Sequence, residues 1–78
     1  MSTFDRLLAV FNAVFENEID PDKITPDAHI FEDIGINSIG MLYMAVALEE
    51  EFGIKFTNED FPAMKTVKDV VNCIEGKL

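Results

Sequence analysis

Apolar residues recur at three- and four-residue steps over residues 3–18, at Phe4, Leu7, Leu8, Phe11, Val14 and Phe15, which predicts a first helix with that stripe in the core. Ser2 or Thr3 can cap it, and Asp5 sits in the first turn, where an acid complements the helix dipole. Asp20-Pro21 breaks the pattern. From there to Asn37 the chain carries Pro26, Gly35 and several Asp without sustained periodicity, so a long loop is expected, anchored on the helices by Ile24, Phe31 and Ile34.

The next stretch organises the chain. Asn37 is a good N-cap, which makes Ser38 the first residue of a helix running to Phe52, and Gly53 stands where a left-handed residue closes it. At about 100° per residue its apolar positions form two arcs. Met41, Met44, Ala45, Leu48 and Phe52 make a core-facing stripe. Ile39, Leu42, Tyr43 and Val46 lie on the other side and run toward Glu49 and Glu50. A helix packed on one side in so small a protein cannot bury both arcs, and an exposed apolar stripe flanked by acids suits a partner. At the helix start, the positive dipole end and the spare N–H groups suit a negative group, such as a phosphate ester, on the Ser38 hydroxyl.

After Gly53, Thr57 or Asn58 is placed to start a brief helical turn through Glu59, Asp60 and Phe61, and Pro62 is tolerated only in a first turn. Thr66 caps a last helix with Val67, Val70, Val71 and Ile74 inward, and Gly76 is expected to end it. The fold expected is all-α: a small up-and-down bundle of three main helices closed by a short helical turn.

Composition adds limits. A chain of 78 residues predicts one domain over residues 1–78, and its seven Phe without Trp put much of the core in aromatic rings. Fifteen acids against six bases give a net charge of −9, which argues against nucleic acid and anionic membranes and leaves basic protein partners open. A solvated surface accounts for such acidity equally well. The single cysteine, Cys73, excludes an internal disulfide and a Cys-based zinc site and suits the cytoplasm. It reads as a half-buried small hydrophobe. Met1-Ser2-Thr3 leads straight into the helical pattern with no signal-like segment, so export is not expected. Asp20, Asp22 and Asp27 invite a calcium loop, but Thr25 and Phe31 occupy the positions where that loop needs Gly and Glu, so no metal is expected.

Serine catalysis would need a base, and the only histidine is His29, nine residues before Ser38. No nucleophile-elbow motif surrounds the serine. His29 reads as a solvated loop residue, and the chain as non-catalytic, with no catalytic residue assigned. Alone, Ser38 would be an ordinary first-turn residue, and Glu49, Glu50 and Glu51 an ordinary solvated face.

The words Asp33-Ile34-Gly35, Asn37-Ser38-Ile39 and Ala47-Leu48-Glu49-Glu50-Glu51-Phe52-Gly53-Ile54 together resemble the acyl carrier protein family, and the resemblance continues through Thr66-Val67. It implies a 4′-phosphopantetheine arm on Ser38, moved there from coenzyme A by a separate phosphopantetheinyl transferase. The arm's thiol would hold acyl groups as thioesters, and acyl-loading and acyl-processing enzymes would be the partners of a carrier expected to be a monomer. Partner contacts would fall on Ile39, Leu42, Tyr43, Val46, Glu49 and Glu50. Three positions depart from the family: Asn37 stands where Asp is usual, Gly40 replaces a common acid, and Tyr43 a frequent Glu. Capping survives the first change, while electrostatic docking weakens. A polyketide, nonribosomal or other specialised route is therefore expected rather than primary fatty-acid synthesis. An aminoacyl cargo, or an unmodified helical module that holds one partner through the apolar stripe, remains open.

Overall fold

Side-chain caps set the starts of the three long helices. In the computed structural model, which describes residues 2–16 and 19–78, the Ser2 hydroxyl accepts the Asp5 N–H at 3.0 Å and opens α1 (Thr3–Phe15). Asn37 Oδ1 accepts the Gly40 N–H at 2.8 Å and opens α2 (Ser38–Phe52). A short α3 (Asp60–Ala63) follows, and Thr66 opens α4 (Val67–Lys77) through a capping box with Asp69. Each cap satisfies a backbone donor that the helix itself cannot pair. α1 packs against both α2 and α4, and the fold is all-α as expected.

Three boundaries differ from those expected. The first helix stops at Phe15 because Glu16 turns left-handed, at φ 47° and ψ 45°; Asn17 and Glu18 of the expected helix lie outside the described residues. Gly76 does not end α4, which continues through Lys77, whose ammonium lies 2.9 Å from the Asp60 carboxylate of α3. That pair ties the end of α4 to α3. The short turn begins at Asp60, which puts Pro62 in its first turn; Asp60 accepts the Thr57 N–H at 2.7 Å.

The stretch expected to be a structureless loop is built from two turns, a 3₁₀ turn at Pro21–Lys23 and a π-helical turn at Ile30–Ile34. Its anchors are Ile24, Ala28, Ile30 and Ile36, all buried. Phe31 does not anchor it: the ring is 42% exposed, while its neighbour Ile30 is 1% exposed. Ile34 is only half-buried. The reason is backbone pairing. Ile30 donates to the Lys65 carbonyl at 2.9 Å and accepts from Gly35 and Ile36 at 3.1 Å each, which directs residue 30 inward and residue 31 out. His29 is correspondingly more than a solvated loop residue: its Nδ1 accepts the Glu32 N–H at 3.2 Å, and its own N–H donates to Asp33 at 2.7 Å. Gly35 ends the turn at φ 86° and Gly53 ends α2 at φ 67°, conformations that cost a residue with a Cβ.

The core is mainly aliphatic, contrary to the aromatic core expected from composition. Of the seven Phe, Phe11 and Phe52 are buried, and the others sit at its edge or outside it. The fully buried large side chains include Leu7, Ile30, Met44, Leu48, Met64 and Ile74.

Candidate functional site

Ser38 is exposed at the first position of α2, a helix of 15 residues. The loop that delivers it is held on both sides, by the Gly35 and Ile36 N–H groups on the Ile30 carbonyl and by the Asn37 cap. The first turn of α2 contains no acid, so the partial positive charge of the helix start is not cancelled by a neighbouring carboxylate of that turn. An anion attached to this hydroxyl would sit where the helix field favours it.

Beside Ser38 lies an open hollow of about 230 Å³ lined by Phe31, Ser38, Met41, Leu42 and Phe61, almost entirely apolar. The outward turn of Phe31 places its ring in this lining. Sequence reasoning missed Phe61 as a neighbour of the serine because α3 carries too few residues for a periodic signal, and only the packing of α3 brings it there. An exposed hydroxyl at a helix start beside an apolar groove fits a phosphate-linked arm with an acyl load.

The outer face of α2 is open. Ile39, Leu42, Tyr43 and Val46 are all exposed, from 55% at Val46 to 67% at Tyr43, and Met41, Met44, Ala45, Leu48 and Phe52 are buried, which reproduces the two arcs. The acidic run is not uniform. Glu49 accepts the Phe56 N–H at 2.8 Å and is half-buried, so it holds the loop after α2. Glu51 is bound by Arg6 at 2.9 Å, with the guanidinium lying 4.2 Å from the Phe52 ring centroid. Glu50 is exposed beside the stripe. Of the acids at this end of α2, Glu50 is thus the one whose carboxylate has no such structural engagement among the described residues.

Elsewhere, Cys73 is half-buried, and burial, helped by Asp60, raises its thiol pKa above the ordinary value. Such a thiol is less nucleophilic than an exposed one. Among the described residues, no group of three or more His, Cys, Asp or Glu could hold a metal ion, and no helix is long and apolar enough to cross a membrane.

Residues 5–74 match the family described as phosphopantetheine attachment site. The chain is 34% identical over 74 residues to acyl carrier protein 2 of Ralstonia nicotianae, covering 95% of this chain and 89% of that protein. It is 38% identical over 60 residues to the acyl carrier protein of Thermosynechococcus vestitus, covering 77% of this chain and 74% of that one. With the match spanning nearly all of its helices, the chain belongs to the acyl carrier protein family, whose cofactor is a covalently attached 4′-phosphopantetheine.

Proposed function

We propose that Ser38 is the attachment residue and that the chain is a non-catalytic carrier, loaded and emptied by separate enzymes. The observation that carries this reading is an exposed serine hydroxyl at the start of α2, beside an apolar hollow bordered by Phe31, Met41, Leu42 and Phe61. When attached, the group supplies a terminal thiol that holds an acyl load as a thioester. The chain's own residues do the rest. Asn37 caps the helix by accepting the Gly40 N–H, the positive end of α2 would favour the phosphodiester of an arm on Ser38, and the buried stripe of α2 keeps the serine on a rigid element.

Partners of this carrier meet Ile39, Leu42, Tyr43 and Val46 first, with Glu50 at the edge. The acids that neighbour the serine in much of the family are replaced here by Asn37, Gly40 and Tyr43, and Glu49 is committed to the Phe56 backbone. Docking therefore rests on apolar and aromatic burial more than on charge, which favours dedicated enzymes of a polyketide, nonribosomal or other specialised route over those of primary fatty-acid synthesis. The same arm would serve an aminoacyl load.

Incubation with coenzyme A, magnesium and a broad-specificity phosphopantetheinyl transferase should add the mass of one arm, and Ser38→Ala should abolish the addition while keeping the helical circular dichroism. An arm found on another residue would sink the site. Wild-type protein left unmodified by a transferase active on a control carrier would instead support an unmodified interaction module.

A further inference from the structure

Gly40 is the third residue of α2, and its place in the packing differs from that of a lost charge. A Cβ built on it would lie 2.9 Å from Ile36 Cγ2, closer than side chains tolerate, and 3.4 Å from both Asn37 Oδ1 and Phe15 Cε1. Ile36 cannot withdraw easily. It is buried, its Cγ2 sits on a stiff β-branch, and its N–H is bonded to the Ile30 carbonyl. Phe15, at the end of α1, is the ring at contact distance, and it is tilted by 36° against Phe11 with ring centroids 5.7 Å apart. Ile36, Asn37 and Ser38 are consecutive, so any retreat of Ile36 moves the segment that presents the serine.

We propose that Gly40 is a positioning residue for Ser38: the missing side chain lets Ile36 and Phe15 close on the first turn of α2 and fixes where the hydroxyl stands. This rests on Ser38 as the attachment residue. The glycine is then required by close approach, and restoring an acid at this position displaces the serine before it adds a docking charge. The three atoms nearest to a Cβ at Gly40 belong to Ile36, Asn37 and Phe15, and none to Leu42, Tyr43 or Val46 of the exposed stripe, so the first strain of a change at Gly40 falls on the segment before the serine.

The test is transferase kinetics with coenzyme A on wild type, Gly40→Ala, Ile36→Leu and the double variant, with folding checked by circular dichroism. Ile36→Leu keeps the core volume and removes the β-branch that the new methyl would strike. Gly40→Ala should lower kcat about tenfold or more with KM for the carrier within about twofold, since an ångström of misplacement costs rate while the docking face is intact. In the Ile36→Leu background, adding Gly40→Ala should cost less than about threefold, because the clash is gone. If the single variant does not fold, the test is rescue: the double variant should fold and be modified within about threefold of Ile36→Leu, and a double variant that also fails to fold or is not modified overturns the proposal. A Gly40→Ala protein modified at the wild-type kcat, or a loss as large with leucine at 36 as with isoleucine, overturns the proposal. Failure of wild type to accept the arm overturns the reading of Ser38 itself, an outcome distinct from either.

Discussion

The contrast between adjacent residues Ile30 and Phe31 tests how the segment before Ser38 is held. Ile30→Ala removes three carbons from a side chain that is 1% exposed. At about 0.8 kcal/mol per buried methylene the transfer loss is about 2.4 kcal/mol, and the void left among neighbours brings the expected cost to about 2 to 5 kcal/mol. A chain of 78 residues at ordinary stability per residue has roughly 4 to 12 kcal/mol in all, so the variant approaches unfolding. Phe31→Ala removes a larger group from a site that is 42% exposed and should cost about 1 kcal/mol, as partly exposed positions do. Urea titration followed by circular dichroism at 222 nm measures both, with equal slopes showing that the same surface unfolds. The reasoning fails if Ile30→Ala shifts the midpoint no more than Phe31→Ala does. It would then be the aromatic ring, not the aliphatic neighbour, that pins the loop.

Three further outcomes are expected. With a cognate loading enzyme, Tyr43→Ala should weaken binding by about 2 kcal/mol or more, while Glu50→Gln acts mainly on association rate at low salt; binding that collapses with moderate salt and tolerates loss of Tyr43 would contradict apolar docking. The carboxyls of Asp60 and Asp69 are held below their ordinary value of 3.8, the first chiefly by the Thr57 N–H and then by Lys77, the second chiefly by the Thr66 N–H. Lowered in the fold, they bind fewer protons there than in the unfolded chain, so their contribution is complete above the ordinary value and drains away as pH falls through the folded one; the urea midpoint should drop below about pH 4, and less so in Asp69→Asn. Glu16→Gly should raise stability by about 0.5 to 1 kcal/mol, because relief of a left-handed conformation outweighs the entropy of an added glycine, and a lowered urea midpoint would count against that end of α1.

The second helix was legible residue by residue from the sequence: cap at Asn37, closing glycine at Gly53, buried arc and exposed arc all follow from local hydrogen bonding and a fixed angular period. The Ser38 position was legible for the same reason, as the residue after a cap. Only the tertiary structure decided the segment before it. Which of Ile30 and Phe31 turns inward depends on a carbonyl at Lys65, thirty-five positions away, and no local pattern encodes such a bond. The arrival of Phe61 beside Ser38 depends likewise on where the four-residue α3 packs. Glu49 and Glu50 are chemically alike in sequence and differ in the fold because one reaches the Phe56 amide. Gly40 shows the limit most plainly. In sequence it is an absent charge, and only the approach of Ile36 and Phe15 makes it a space that must stay empty.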